Sequence, residues 1–337
     1  MLRGECAQTG VRPFNPYRDL RPVTELIGVA FSDKLGPDGQ IALAEMRRIA
    51  RWSPLLWWLY WPAWNRVGVA PGFVWVEQGR VVGNVSLRRA LQWGGFFVGN
   101  VAVHPDWRRR GIARALMEAA LEVISARGGR WVGLEVRADN QVARWLYEHL
   151  GFQDVGKTLH VLRPAGLPWV GNPPTHPSLR RGCSRDSASL IELVHAVVFE
   201  PQRPLLELRE EDYKPGWGRA LDCWLEGRRE VWWVVEENGV VSGAVRVLRE
   251  RGRRPDQLEV LVEPGRSGHL ETVLVQHGVA SLRGAPGKMV EIVLPSPAEP
   301  LVTALEMAGF QKLRVLVQMR LDLVHHVPVK LGDAFAA

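Results

Sequence analysis

A glycine-containing turn near residue 111 has the composition of a phosphate-binding site. The apolar run Val101-Ala102-Val103 predicts a strand, and His104-Pro105-Asp106-Trp107 connects it to a predicted helix at 111–127. The first N–H groups of a helix lack internal partners and carry the positive end of the helix dipole, so they attract phosphate. Gly111 allows close backbone approach, Ala113 keeps the first turn open, and charge comes from Arg108, Arg109, Arg110 and Arg114. The alternative is an ordinary strand-to-helix connection with a solvated basic edge.

A second block of polar residues follows this turn. It comprises Leu134-Glu135-Val136-Arg137-Ala138-Asp139-Asn140, then Ala143, Leu146-Tyr147-Glu148 and Gly151-Phe152. The order arginine, two residues, glycine, one residue, alanine, after a strand ending in Val-His-Pro, resembles the acyl-coenzyme A motif of the GCN5-related N-acetyltransferases (GNAT). The second block resembles the other signature of this family, most closely in its ribosomal-protein alanine acetyltransferases. The resemblance covers roughly residues 11–163 and is specific in 100–152.

The resemblance implies acetyl-coenzyme A as the co-substrate. In this family two neighbouring strands splay apart and the pantetheine arm lies in the gap, which places Val101, Ala102 and Val103 along it. Their N–H groups would also stabilise negative charge developing on the thioester oxygen. The residues implied around the phosphates are Arg108, Arg109, Arg110, Gly111, Ile112, Ala113 and Arg114. Asn140 is expected to cap the next helix. Both Asn140 and Tyr147 are expected to contact the co-substrate. No metal site is expected.

Tyr147 and Glu135 are the predicted catalytic residues. A phenol with a reference pKa near 10 is protonated at neutral pH, so Tyr147 is expected to donate a proton to the departing thiolate. In the resembling ribosomal-protein enzymes, the glutamate matching Glu135 is thought to take the amine proton. The alternatives are core packing for Tyr147 and an ion pair with Arg137 or Arg144 for Glu135. His104 is interpreted as a solvated turn residue.

The predicted elements follow the order of the family, an α/β (α+β) fold. Alternation and helical periodicity predict a mixed, mostly antiparallel sheet with helices on both faces and a splayed central strand pair. Strands are expected at 11–14, 96–103 and 131–136, with a hairpin at 73–88 and closing strands near 152–162. Helices are expected at 20–31, 40–51, 111–127 and 141–150.

The chain contains an internal duplication. Gly83 and Gly243 are 160 residues apart, Pro105 and Pro264 are 159 apart, and Phe152 and Phe310 are 158 apart. Three anchors at almost one offset indicate two tandem copies of one domain. The predicted domains are 1–163 and 178–327, joined by a proline-rich linker at 164–177 and followed by a tail at 328–337.

The second copy lacks the polar residues that the first uses for its predicted chemistry. Sliding by 158 places Val293 at Glu135, Ala298 at Asn140 and Leu305 at Tyr147. Sliding by 159 places Ser267, Leu270 and Thr272 at Arg108, Gly111 and Ala113. A packing role would have survived in both copies, so we expect one active domain and one degenerate, structural domain.

Composition is typical of a cytoplasmic globular protein. The 337 residues are 46% hydrophobic and 23% charged, and the net charge of +7 is spread along the chain. We therefore expect no nucleic-acid partner and no membrane partner, and either a monomer or a homodimer. Three cysteines without short spacing predict neither disulfides nor a zinc site. Segment 52–64 contains five of the 15 tryptophans and is interpreted as inward-packing, with acceptor recognition as the alternative.

The predicted activity is acetyl transfer to a primary amine by direct attack on the thioester. A small-molecule amine is the leading acceptor, because the ribosomal-protein enzymes have one domain whereas this chain has two. The first alternative is a protein N-terminal α-amine, which loses its proton more easily than a lysine. Others are a sensor that binds acetyl-coenzyme A without turnover and a nucleic-acid-associated protein.

Overall fold

The computed structural model describes residues 9–31, 44, 72–92, 94–168, 175–252, 254–283, 287–295 and 298–323. Apart from residue 44, the predicted helix 40–51 lies outside the described residues. The tryptophan-rich segment 52–64 and the tail 328–337 also lie outside them, as does the centre of the predicted linker.

The described residues contain twelve strands and eight α-helices. The strands are β1 (Gly10–Pro13), β2 (Gly72–Glu77), β3 (Arg80–Arg89), β4 (Gly95–Val103), β5 (Trp131–Arg137), β6 (Gln153–Arg163), β7 (Leu179–Arg181), β8 (Arg229–Glu237), β9 (Val240–Arg249), β10 (Asp256–Val262), β11 (Val290–Pro295) and β12 (Gln311–Asp322). The helices are α1 (Pro16–Ala30), α2 (Ile112–Ala126), α3 (Gln141–His149), α4 (Ser187–Val197), α5 (Arg203–Leu206), α6 (Trp217–Leu225), α7 (Glu271–Ser281) and α8 (Glu299–Met307).

Helix α1 begins earlier than the predicted residue 20. Its start is fixed by Asn15, whose side chain accepts a hydrogen bond from the Tyr17 N–H, and by Pro16 in the first turn. Asparagine and proline are favoured at these two positions, because the first satisfies a free N–H and the second lacks one. Pro22 lies inside the helix without ending it. The predicted boundary was therefore wrong by one helical turn.

All twelve described strands form one sheet, in the order β1-β2-β3-β4-β5-β12-β6-β11-β10-β9-β8-β7. The prediction of a mixed, mostly antiparallel sheet is confirmed. The last strands of the two halves are exchanged, because β12 of the second half pairs with β5 and β6 of the first half pairs with β11. Nothing in the local sequence predicts this exchange. The expectation of several closing strands at 152–162 is wrong, because the structure has only β6 there.

Helices cover both faces of the sheet, as predicted. In the first half, Ile112, Leu116 and Ile124 lie on one side of α2 and pack into the core beneath β2–β5. On the other face, Val23 and Ile27 of α1 pack on β2. Spacings of four and eight residues place apolar side chains on one helix face, which explains these contacts.

The structure repeats itself in the way the sequence spacing predicted. A Cβ on Gly83 would lie 2.9 Å from Leu116, and a Cβ on Gly243 would lie 2.9 Å from Leu274, so each glycine admits the helix that crosses its strand. The Phe152 N–H donates to the Tyr147 carbonyl and the Phe310 N–H to the Leu305 carbonyl, both at 3.0 Å. These contacts match the two halves residue by residue.

Each half also contains a buried ion pair between its first strand and the helical segment that follows. Arg12 binds both carboxylate oxygens of Asp19 at 2.6 and 2.7 Å, and Arg180 binds those of Asp186 at 2.6 and 2.8 Å. Burial alone would raise the pKa of both carboxyls, but the arginines and nearby backbone N–H groups lower the pKa of each. An interaction kept in both halves is structural.

Candidate active site

The central strands of the first half diverge and leave a gap. Parallel strands β4 and β5 pair only where residues 95–97 face 131–133. Beyond this point, residues 98–103 and 134–137 no longer pair with each other, whereas β5 remains paired with β12 along its whole length. The backbone of β4 is therefore left with hydrogen-bonding groups directed into a gap between two strands.

A β-bulge shapes the β4 side of this gap. The register of β3 and β4 moves from Asn84 opposite Ala102 to Ser86 opposite Gly99, which inserts one extra residue in β4. Asn100 has a φ of 50°, and its carbonyl accepts a hydrogen bond from the buried Asn84 side chain at 3.0 Å. A bulge turns the backbone locally, so Asn84 fixes how Val101 and its neighbours present their backbone groups.

The predicted phosphate turn has a free helix start. Gly111 precedes α2 with a φ of 76°, and no side chain caps the helix. A Cβ at Gly111 would meet nothing within 4 Å, so the space above the turn is open. Residues Ile112 and Ala113 form the first turn of α2, whose N–H groups are left for a ligand.

The arginines of the turn mostly bind the protein itself. Arg108 donates to the Val103 and Ala30 carbonyls, Arg110 donates to the Asp106 carbonyl, and Arg114 pairs with Glu118 at 3.0 Å. Arg109 is exposed, has a φ of 63°, and makes no hydrogen bond with its side chain within the described part of the chain. These side chains hold the shape of the turn and give it positive charge.

His104 lies before this turn and behaves as the sequence suggested. Its ring accepts a hydrogen bond from the Asp106 N–H at 3.4 Å and stacks edge-on against Trp107. Both contacts of the His104 ring are therefore with residues of its own turn.

Tyr147 lies on α3 and is 6% exposed, with its ring 6.0 Å from that of Phe152. Its hydroxyl makes no hydrogen bond to any residue that the structure describes. Burial raises the pKa of Tyr147 to about 12, so the phenol stays protonated in the physiological range. Asn140 accepts a hydrogen bond from the Ala143 N–H and so caps the helix that carries this tyrosine.

Glu135 lies on the opposite face of β5. Val132, Leu134 and Val136 point into the same core as Tyr147, so the alternating residue Glu135 points away from it. Its carboxylate is exposed and accepts a hydrogen bond from the Gln318 side chain at 3.1 Å.

Neither arginine proposed as an ion-pair partner of Glu135 binds it. Arg137 pairs with Asp139 and Arg144 pairs with Asp154, each at 2.8 Å. Tyr147 and Glu135 therefore lie on opposite faces of the sheet beside the strand gap.

The second half reaches over the face that carries Glu135. Leu205 packs against Phe97 and Trp131, and a Cβ on Gly133 would lie 3.3 Å from Leu205. Glu207 binds the Arg88 guanidinium at 2.9 Å and the Leu91 N–H at 3.0 Å. The segment 200–207 is thus attached across the first half of the sheet.

The second half keeps the splayed strands but has neither the bulge nor the open helix start. Strands β10 and β11 pair only at Asp256 and Gln257, whereas β9 and β10 pair without a shift. Ala244 occupies the position of Asn84. The Glu271 carboxylate accepts hydrogen bonds from the Gly268 N–H at 2.9 Å and the Ser267 hydroxyl at 3.1 Å. The protein's own carboxylate therefore lies at the turn where a phosphate would bind.

Sequence reasoning did not identify several residues that shape these sites. Asn84 is a polar residue inside the apolar run of β3, which is a usable signal for a buried hydrogen bond. Gln318 gives no such signal, because it alternates with apolar residues as a solvent-facing residue would. Its burial follows from the exchange of β12 and from contact with Gln202. The role of Glu271 likewise depends on the fold of its own turn.

Among the described residues, no group of three or more histidine, cysteine, aspartate or glutamate side chains is arranged to hold a metal ion. No helix in this part of the chain is both long enough and apolar enough to span a membrane.

Comparison with known proteins agrees with this geometry. Residues 40–152 match the model of the acetyltransferase (GNAT) family. A 55-residue stretch is 47% identical to the [ribosomal protein bS18]-alanine N-acetyltransferase of Escherichia coli K12, and it covers 16% of this chain and 37% of that relative. The chain therefore spans little more than a third of the length of this curated relative.

Two solved structures resemble the whole chain. A tandem GNAT protein from the clavulanic acid biosynthesis pathway superposes with a TM-score of 0.56 at 17% identity, covering 94% of this chain and 98% of that one. A GCN5-related N-acetyltransferase from Sphaerobacter thermophilus gives a TM-score of 0.61 at 17% identity, covering 93% and 95%. At this identity the likeness establishes the fold, with both halves included.

Proposed function

We propose that this chain, whose residues 40–152 match the acetyltransferase (GNAT) family, transfers the acetyl group of acetyl-coenzyme A to a primary amine of a small molecule. The observation that carries the proposal is the combination of a strand gap, a bulge held by Asn84 and an uncapped helix start after Gly111. All three serve one ligand path, and the second half retains only the gap.

The residues that would hold acetyl-coenzyme A fit its chemistry. The N–H groups of 111–114 suit the phosphates, and the β4 backbone at Val101, Ala102 and Val103 suits the pantetheine amides. Asn140 would contact it beside the gap, and the exposed side chain of Arg109 adds charge beside the phosphates. When bound, the co-substrate supplies the activated acetyl thioester.

The two predicted catalytic residues have complementary hydrogen-bonding roles. Tyr147 is protonated at neutral pH because burial raises its pKa to about 12, and we assign it as the group that donates to a departing thiolate on its own face of the sheet. Glu135 accepts a hydrogen bond and can take a proton from an amine, directly or through water, on the other face. Acid and base are thereby kept apart, and each acts on one side of the gap.

A small acceptor is favoured by the cover that the second half provides. Leu205 and Glu207 attach the segment 200–207 to the face from which Glu135 projects. A protein chain lying across this face of the sheet would meet the segment 200–207, whereas a small amine needs only the exposed Glu135 carboxylate. We also propose that 1–163 is the active domain and 178–327 a structural one, since Glu271 fills the second turn.

A protein N-terminal α-amine is the second candidate acceptor. It is favoured by the 47% identity to the E. coli ribosomal-protein enzyme over 55 residues. That stretch covers only 16% of this chain, so it supports this acceptor less than the cover from the second half supports a small amine.

The test is thiol release from acetyl-coenzyme A by the full chain with polyamines, aminoglycosides, amino acids and alanine-starting peptides. We expect turnover with a small amine, and a loss of about 100-fold or more in kcat for Tyr147→Phe with acetyl-coenzyme A binding retained. Tyr213→Phe is the control for loss of a buried hydroxyl in the second half; it also removes a 2.7 Å hydrogen bond to Glu259, so it should lower the Tm and leave kcat in place.

Three outcomes would reject parts of this proposal. Turnover with alanine-starting peptides alone would replace the small acceptor by a protein. Tight acetyl-coenzyme A binding without turnover would indicate a sensor. Wild-type kcat in Tyr147→Phe would remove the acid role.

A further inference from the structure

A chain of two buried glutamines connects the second half to Glu135. Gln318, on the exchanged strand β12, lies directly opposite Glu135 in the strand pairing and donates to its carboxylate at 3.1 Å. The Gln318 carbonyl oxygen accepts from the Gln202 amide at 3.0 Å, and that amide also donates to the Lys157 carbonyl at 3.3 Å. Gln202 and Gln318 are both fully buried.

The chemistry of the end groups sets the direction of this chain. An ionised carboxylate and a backbone carbonyl can only accept hydrogen bonds. Gln318 must therefore present its NH2 to Glu135 and its oxygen to Gln202, whose NH2 is shared with Lys157. Both amides are fixed in one orientation, and that orientation suits the ionised form of Glu135.

The backbone makes room for this arrangement at Gly156. A Cβ at that position would lie only 2.0 Å from the Gln202 amide nitrogen. Gly156 pairs with Gln318 across β6 and β12, so the missing side chain lets Gln202 reach the middle of the sheet. The contact thus depends on the strand exchange and on a residue without a side chain.

We propose that Gln318 is a positioning residue for Glu135, through which the second half orients the base of the first half. The proposal rests on the proposed function, because it assigns a role within that reaction. A donor to a carboxylate favours its ionised form and limits its rotamers. The structural half would therefore act on the chemistry of the other half without touching substrate.

The charged residues on the elements packed around Glu135 interact with other groups or with solvent. Arg137 and Arg320, the nearest on β5 and β12, pair with Asp139 and Asp322 at 2.8 and 2.7 Å, and Lys157 on β6 is exposed. On the segment 200–207 the charged residues are Glu200, Arg203 and Glu207. Arg203 donates to the carbonyls of Val198 and His195, and Glu207 binds Arg88. Gln318 is the side chain that donates to Glu135.

The repeat supplies a matched control. His160 is the equivalent of Gln318 at an offset of 158, is also buried, and faces Val293 across its strand pair. Its ring contacts Glu291 at 3.3 Å. A substitution there perturbs the same kind of strand pair without a predicted base beside it.

The test compares Gln318→Met with wild type and with His160→Met. Losing a hydrogen bond to a charged group should lower kcat/KM about 10-fold and move the acidic limb of its pH profile to higher pH. In a Glu135→Gln background, Gln318→Met should have no further effect on kcat/KM beyond about 2-fold. His160→Met should leave the pH profile in place. Gly156→Ala, which displaces Gln202, should shift it in the same direction as Gln318→Met.

Equal losses of kcat/KM in both backgrounds, with an unmoved pH profile, would overturn the proposal. If Gln318→Met lowers the Tm too far to assay, Gly156→Ala and Gln202→Met carry the same test. An NMR measurement of the Glu135 carboxyl needs no acceptor, and its chemical shift at pH 7 should change in Gln318→Met but not in His160→Met. Absence of turnover in wild type would count against the proposed function, whereas an unchanged NMR chemical shift would count against this inference.

Discussion

Replacing Asn84 with alanine should separate the shape of the strand gap from the stability of the fold. Asn84 is 1% exposed, and it holds the bulge through a 3.0 Å hydrogen bond to the Asn100 carbonyl and a weaker 3.3 Å hydrogen bond to Ser86. The substitution removes both hydrogen bonds and leaves Asn100 at positive φ without side-chain support. The second half, with Ala244 at this position and a regular strand opposite, represents the expected end state.

The magnitude follows from the hydrogen bonds that the substitution removes. A buried neutral hydrogen bond contributes about 1 kcal/mol and the longer one to Ser86 about 0.5 kcal/mol, and together they offset the cost of a positive φ at Asn100. About 1.5 kcal/mol shifts the ratio of bulged to regular strand by roughly tenfold. We therefore expect kcat/KM to fall about 10-fold or more, and Tm to fall by about 3 °C.

The assay is thiol release with the best acceptor, combined with thermal unfolding, on Asn84→Ala and on Ser86→Ala. Ser86→Ala removes only the weaker hydrogen bond, so its kcat/KM should stay within about 2-fold of wild type. A lowered Tm with unchanged kcat/KM in Asn84→Ala would show that the bulge is not needed to align the substrate, and the reasoning would then fail.

Further predictions concern the turn, the ion pairs and the tyrosine. Gly111→Ala places a side chain at a φ of 76° in the open space above the turn, so KM for acetyl-coenzyme A should rise about tenfold in steady-state kinetics. Asp19→Asn and Asp186→Asn should each cost about 3 kcal/mol in denaturant unfolding at pH 7. Because both pKa values are lowered on folding, this contribution is present above about pH 4 and fades as the pH falls, so the variants should lose less at pH 3. The pKa of Tyr147 is raised to about 12, so folding stability should fall as the pH rises from about 10 toward 12, and a wild-type minus Tyr147→Phe absorbance titration should show one phenol ionising near pH 12.

Much of the first half could be predicted from local sequence. Alternation, glycine turns and capping residues are short-range signals, and they located β3, β4, β5, α2 and α3 to within about a residue. The repeat spacing likewise indicated the second half. The positions of Gly111 and Asn140 follow from helix-start chemistry, which depends on only a few neighbouring residues.

The exchange of β6 and β12 could not be predicted in this way. Strand pairing uses backbone hydrogen bonds, which are the same for either partner, and both halves carry the same apolar alternation. For the same reason Gln318 has the sequence pattern of a surface residue, although it is fully buried.

Tyr147 shows a further limit. Its ring belongs to the core, so the alternative of a packing role is correct, and its catalytic role stays a prediction.

The exchanged strands also set the order in which the protein can mature. Glu135 and Gln318 are 183 residues apart, so β5 lacks this neighbour until synthesis has passed β12. Pairing at such separation is entropically costly and slow to form. During synthesis one edge of β5 therefore stays unpaired. An unpaired strand edge favours aggregation and chaperone binding. Activity should therefore appear only after β12 has paired with β5.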